Sequence, residues 1–338
     1  MILTLRGIFI TAALLASLFA CSYNKRASQN TVNNKLHSPP QVLKIMTDSK
    51  INYVIVVLKD SLKTPADSLP VLPNQYYLIT SDSGRRIGEY DLHGASLKLF
   101  VQGETSFKEN NLSDALTSFK ALVKAEPHYA YALTLTGDVY YTLQKYDSAE
   151  FYFKRALQLK SVDYSARWFL ADTYWKNGNG LNALKNIYYA HLMNRNNPRL
   201  LRGLKYYARA MGHNWDGWKF TPQFRLSQNG NKVVIESAPG WLGYAMVKAL
   251  WKYEPGYAQS ITGQARNKYT FILAEEAEAV MSLISANKNM KFLEKIVNDG
   301  YFPEFFYYEI VSPKNPLALL SLRKDEIERL VEYVERYH

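Results

Sequence analysis

Apolar residues recur at helical spacing through the middle of the chain, and the pattern repeats every 34 residues. Shifted by that interval, Gly103 falls on Gly137 and then on Ala171, and Ala115 on Ala149 and Ala183. Phe119 falls on Phe153 and Ile187, Leu122 on Ala156 and Ala190, and Tyr140 on Tyr174. Pro127 closes the first unit, and Pro198 closes the third about one helical turn late. Small residues at Gly137, Ala149 and Ala156 let two antiparallel helices approach closely, while Leu133, Tyr140 and Phe153 fill the space between them. One such pair cannot bury its apolar face alone, so the units must stack. The third unit carries Gly180, whose missing side chain predicts a looser turn there. The run NPRLLRGLKYYARAMG, with Pro198 near its start and Gly212 at its end, predicts a further helix that caps the stack.

The flanks follow other periods. Residues 41–91 look β-rich: INYVIVVLKD is dense in β-branched residues, and QYYLITSDSGRRIGEYDL predicts a hairpin turning near Ser83 and Gly84. SLKTPADSLPVLP between them is a proline-bearing loop. Beyond residue 213, FRLSQNGNKVVIES places Asn229-Gly230 between two apolar runs, another hairpin signal. GWLGYAMVKALWKYE, ILAEEAEAVMSLISANK and MKFLEKIVNDG read as helices and EFFYYEIV as a strand. RKDEIERLVEYVERYH reads as a C-terminal amphipathic helix with Ile327, Leu330, Val331 and Val334 on one face.

In segments such as LTLTGDVYYTLQKYDSAEFYFKRALQLK the repeat resembles the tetratricopeptide repeat, over about residues 96–197. The resemblance implies a mainly α fold. An α-solenoid of three repeats plus a capping helix at 92–212 is flanked by a small β-rich segment, 41–91, and by an α+β domain of no recognised family, 213–338.

The N-terminus bears on compartment. Arg6 precedes an apolar run, Ile8 to Ala20, too short to span a bilayer as a helix and long enough for a signal-peptide core. Leu18, Ala20 and Cys21 resemble a lipoprotein lipobox, with Phe19 bulkier than usual. The resemblance implies cleavage of residues 1–20 and lipidation of Cys21, which would explain why the chain has one cysteine. A plain signal peptide or an uncleaved anchor ending in cysteine is the competing reading. Residues 21–40 are polar and end in a double proline, as a flexible tether does. Ser22 rather than Asp after the cysteine resembles an outer-membrane address, with the periplasmic face as the default. The net charge of +11 usually directs attention to nucleic acid, but export argues against nucleic acid and favours anionic lipid, wall polymer or acidic protein.

Candidate chemistry is sparse. The resemblance implies that the first helix of each repeat lines a concave groove. The 34-residue register then puts Glu104, Asp138 and Asp172 at one equivalent position, beside Phe107, Tyr141 and Trp175, with Phe100, Thr134 and Trp168 one turn earlier. An acidic ladder beside an aromatic one fits a groove for a neutral or basic peptide. Polar and aromatic residues are also common at these positions in repeats of any function. No acidic residue lies between Asp172 and Asp216, and Arg199, Arg202, Lys205 and Arg209 give the capping helix one basic face. That face either docks on an anion or is solvated and paired with acids of the C-terminal domain.

The six histidines lack metal-ligand spacing, and Glu275, Glu276 and Glu278 read as a solvated helix face. Trp215, Trp218, Trp241 and Trp251 cluster near the second hairpin as core residues or, if exposed, as a sugar-stacking surface. With no nucleophile elbow, phosphate loop or dinucleotide turn, no metal or cofactor is expected. The expectation is a non-catalytic, lipid-anchored envelope scaffold binding envelope proteins or peptides. The alternative is a wall- or glycan-acting enzyme or binding module in the C-terminal domain, with the repeats as its support.

Overall fold

The computed structural model describes residues 36–62, 71–73, 76–81, 84–215, 217–264, 269, 272–320 and 322–338. The chain divides into two compact units, each drawn from two separate stretches. Of the described residues, one takes in 36–62 together with Lys219–Glu309, and the other those from 71 to Trp218 together with Ile310–His338. These units cut across the expected boundaries at 41–91, 92–212 and 213–338.

The repeat unit contains three helix pairs: α2 (Gly94–Lys108) with α3 (Leu112–Ala125), α4 (Ala130–Thr142) with α5 (Tyr146–Leu159), and α6 (Tyr164–Lys176) with α7 (Gly180–Met193). Their spacing is the one read from the sequence, and the reason is steric. A Cβ on Gly137 would lie 2.6 Å from the Phe153 ring, and Gly103 meets Phe119 in the same way. In the third unit the small partner gains a methyl at Ala171 and the large one shrinks to Ile187, and both are fully buried. Ala149 and Ala156 are likewise fully buried. Gly180 does not loosen its turn; a Cβ there would lie 2.5 Å from Met211 Sδ, so the glycine makes room for that side chain. Helix α8 (Pro198–Ala210) follows, with Pro198 in its first turn and the Asn197 side chain accepting from Arg199 N at 2.9 Å.

Two further pieces belong to this unit. Strands β2 (Tyr76–Ser81) and β3 (Gly84–Glu89) form the first expected hairpin, with Ser81 paired to Gly84. Before it, Leu72 is clasped by the Asn194 amide, which accepts from Leu72 N and donates to Leu72 O, both at 3.0 Å. The C-terminal helix α15 (Lys324–Tyr337) packs on α7, with Ile327, Leu330, Val331 and Val334 buried as expected. Trp218 Nε1 donates to Tyr337 O at 3.0 Å, and Trp215 and Trp218 both stack on the His338 ring. The helix Lys324–Tyr337 therefore belongs to the repeat unit and not to the one that holds Lys219–Glu309.

The other unit begins with α1 (Pro39–Asp48), where a β-rich segment was expected. The double proline occupies its first turn, and Ser38 N donates to Gln41 Oε1 at 2.7 Å, so the residues that looked like the end of a tether start a helix. Strand β1 (Asn52–Val57) runs parallel to β5 (Lys232–Ser237), and β5 pairs antiparallel with β4 (Phe224–Asn229), giving the order β1-β5-β4. The expected second hairpin is present; its turn is Gly230-Asn231, with Gly230 at φ 56°. Val233 and Ile235 on β5 are buried, and α9 (Leu242–Tyr253) packs on β5 and against α11 (Leu273–Ala286). The short α10 (Tyr257–Thr262) and α12 (Lys291–Asn298) complete this layer.

EFFYYEIV is helical, not a strand: α13 (Phe302–Phe305) runs into wider turns over Phe306–Val311. Pro303 in the first turn sets a helical φ, and burial of Phe305, Phe306 and Tyr308 overrides the strand preference of aromatic residues. The last elements are α14 (Leu317–Leu320), which packs on α7, and α15.

Candidate groove of the repeats

The 34-residue register places Glu104 on α2, Asp138 on α4 and Asp172 on α6 at equivalent turns of the first helix of each pair. All three are half-buried, as are Phe107, Tyr141 and Trp175 three residues further on. Phe100 and Phe107 pack partly onto the cluster of Ala115, Phe119, Leu135 and Val139. Trp168 is half-buried with its ring 5.8 Å from Phe169. Thr134 departs from the expected set. It is fully buried, and its hydroxyl donates to Ala130 O of its own helix at 3.4 Å, so it presents nothing to a ligand.

The ladder carries strained electrostatics. Burial pushes the Asp138 carboxyl up to about 6, and the charge of Asp172 adds to the effect. Burial raises Asp172 to about 6 as well, opposed by the hydrogen bond it accepts from Tyr207 Oη of α8 and by Lys176. Glu104 has its own counter-ion, Lys108 Nζ at 3.2 Å. The Asp138 carboxylate has no hydrogen bond or ion pair among the described residues. Tyr131 lies in the field of Glu104 and Asp138, and its hydroxyl is raised chiefly by burial. At the far end Trp175 packs on Tyr207 and Tyr206, with ring centroids 4.9 and 5.8 Å away. The register read within the three repeats could not reach Tyr206 and Tyr207, because they come from the helix that follows them.

The basic face of α8 is present as read: Arg199, Arg202, Lys205 and Arg209 are all exposed. Acids of the C-terminal domain do not neutralise it, since none of the four makes an ion pair among the described residues.

Glu275, Glu276 and Glu278 are the clearest correction. They are not a solvated face; Glu275 and Glu276 are 0% exposed. Lys248 of α9, itself buried, pairs with Glu275 and lies 3.3 Å from Glu276 Oε2. Tyr244 donates to Glu276, and Tyr269 donates to Glu275 Oε1 at 2.6 Å. Glu278 accepts from Trp251 Nε1 at 2.6 Å, Tyr257 Oη at 2.8 Å and the His37 backbone N–H at 2.8 Å. Burial raises Glu275, and the Lys248 charge opposes it. The three carboxylates are buried and, among the described residues, partnered by side chains of the surrounding core. Trp251 is spent on this cluster, and Trp241 packs on Phe220 and Tyr244. His191 is buried and held neutral, its ring lowered to about 3 by burial, Arg195 and His338. Among the described residues no His, Cys, Asp and Glu group could hold a metal, and no helix is long and apolar enough to cross a membrane. Cys21 and the expected signal peptide lie outside the described residues.

Comparison with known proteins agrees with the helix pairs. The tetratricopeptide repeat family model matches residues 100–163 and 137–199. The chain is similar to the first repeat domain of Spaghetti (RPAP3) solved with the HSP90 peptide SRMEEVD, at 19% identity, 35% of this chain, 94% of that one and a TM-score of 0.34. It is similar to the TPR2B domain of yeast Sti1 in its pHsp70 complex, at 16% identity, 35% of this chain, 98% of that one and a TM-score of 0.33. It is also similar to the MamA protein, at 15% identity, 60% of this chain, 94% of that one and a TM-score of 0.32. A search of curated proteins finds no match. The middle of the chain is thus a tetratricopeptide-repeat array, a class of module for protein–protein interaction.

Proposed function

We propose that the chain is a lipid-anchored scaffold of the bacterial envelope, non-catalytic, which holds a protein partner in the groove of its repeats. The observation that carries the reading is the double ladder. Half-exposed aromatics at Phe107, Tyr141 and Trp175 stand beside carboxylates at Glu104, Asp138 and Asp172, recurring at one repeat position. Aromatic anchors supply most of the binding free energy in such surfaces, and the carboxylates bias the choice of partner toward neutral or basic segments. Cys21 would attach the scaffold to the outer membrane, facing the periplasm. For the competing reading, a wall- or glycan-acting module, the densest set of titratable groups among the described residues of 213–338 is the Glu275–Glu276–Glu278 cluster, whose carboxylates are buried.

The groove is tested by placing a photo-crosslinking residue at position 141 of the membrane-bound protein, with position 151, on an exposed face of α5, as control. A partner captured from 141 and not from 151 fits the reading, and Asp138→Lys should abolish the capture. With that partner purified, Tyr141→Ala should weaken binding by about 2 kcal/mol, the usual scale for an aromatic anchor. Equal capture from both positions, or an unchanged affinity, removes the groove from the account. Attachment is tested separately. Intact protein should carry a lipid mass on Cys21, and Cys21→Ser should lose that mass and leave the protein unprocessed or released. A Cys21→Ser protein that fractionates as wild type, with no lipid on the wild type, ends the lipoprotein reading.

A further inference from the structure

The basic face of α8 is an array of cations without an ion pair among the described residues. Its inner side is committed: Leu200, Leu204, Tyr207 and Ala208 are buried. At 100° per residue Arg199, Arg202, Lys205 and Arg209 fall on an arc of about 120° opposite those residues, in a row about 15 Å long. Tyr206 stands in the same arc and is 60% exposed. None of the four cations has an ion pair among the described residues, and no acidic residue occurs in the sequence from 173 to 215 to supply one nearby.

We propose that this face docks on an anionic lipid bilayer through its headgroups. Complementarity of charge is the first reason: four uncompensated cations on one arc attract a negative surface, each adding to the effect. The shape of the face is the second. A specific acidic peptide needs a recess that orients its carboxylates and excludes water, and the outer side of a helix offers four long, mobile side chains with no such recess. A diffuse negative surface requires no register. The third reason is Tyr206, a side chain with an apolar ring and a polar tip, of the kind enriched at headgroup level. Because the apolar side of α8 is packed inside the protein, docking is peripheral and salt-sensitive, with no insertion. The four cations are not groove residues and do not depend on Cys21; Tyr206 alone is shared, since its ring also meets Trp175.

The test compares the full chain on vesicles of phosphatidylcholine alone and of phosphatidylcholine mixed with phosphatidylglycerol. The N-terminal apolar run contributes to both, so the quantity read is the ratio of the two partition coefficients. That ratio should be at least about tenfold and collapse near 1 M salt, where the screening length is about 3 Å. The quadruple variant Arg199→Gln, Arg202→Gln, Lys205→Gln and Arg209→Gln should bring the ratio close to one. All four side chains are exposed and unpaired, so the variant keeps the wild-type melting transition. A control variant, Lys98→Gln, Lys124→Gln, Lys145→Gln and Lys288→Gln, removes the same charge from other exposed positions and should keep most of the preference. No preference in the wild type, equal loss in both variants, or no loss in the α8 variant each overturns the proposal. In the first case an acidic protein becomes the partner to seek.

Discussion

Asp138 shows how a single side chain can work against the fold that carries it. Its carboxyl keeps a proton up to about pH 6 in the folded chain, while the unfolded chain loses it near 3.8. Between those values the folded state binds more protons than the unfolded state, so stability falls as pH rises through this window and stays low above it. Asp172 acts in the same sense. Asp138→Asn should therefore stabilise the protein by about 1–2 kcal/mol near neutral pH, a figure below the full pKa shift because the group is partly solvated. At about pH 4 the substitution should change little, since the native carboxyl is then protonated too. Urea midpoints of both proteins at the two pH values check this, and a variant destabilised equally at both has lost something other than a charge. On the proposed function this destabilising charge serves a basic partner, so the same variant should weaken the capture of that partner.

At the scale of elements, the parts legible in the sequence are those whose constraint is local. Gly103 with Phe119 and Gly137 with Phe153 are each sixteen residues apart, so the helix pair they permit repeats visibly in the chain. Asn229-Gly230 announced its hairpin for the same reason. The parts that were not legible depend on distant partners. Asn52–Val57 is rich in β-branched residues, which marks a strand but not that it runs parallel to Lys232–Ser237. The run AEEAEAV reads as a wet helix face because burial of its carboxylates depends on Tyr244, Lys248 and Trp251 of another helix and on Tyr257 and His37. Of the groove, the aromatic and acidic positions were legible and Tyr206 and Tyr207 were not. The C-terminal helix gives the prediction at this scale. Its apolar face was readable, but its partner, α7, was not. Leu330 is buried in that contact, so Leu330→Ala should cost about 2–5 kcal/mol. The loss should appear as hydrogen exchange in α7, whereas a helix belonging to the other unit would leave α7 protected.

For the molecule as a whole, the consequential fact is that one unit is interrupted in sequence by the other. Residues 219–309 supply two strands and most of the helices of their unit, but not its third strand or α1. Without residues 36–62, β5 loses its parallel partner along its whole length, Asn52 to Val57. Glu254 loses the hydrogen bonds from Ser49 Oγ at 2.6 Å and Tyr53 Oη at 2.9 Å, and buried Glu278 loses the one from the His37 N–H at 2.8 Å. Hydrogen bonds to charged groups contribute about 1.5–3 kcal/mol each. Three of them, with the burial of Val42 and Met46, match the whole stability of a typical domain, about 5–15 kcal/mol. The fragment 219–309 should therefore fail to fold alone: no cooperative thermal transition, and β5 amides exchanging freely. Adding a peptide of residues 36–62 in trans should restore both a transition and β5 protection, with an apparent affinity set by these contacts. A peptide carrying His37→Ala, which loses the 3.1 Å contact of the ring Nδ1 with Glu278 Oε1 and the ring contact with Tyr257, together with Tyr53→Phe, should bind more weakly. Were the fragment to melt cooperatively without the peptide, the second stretch alone would constitute the unit, and the split division of the chain would be wrong.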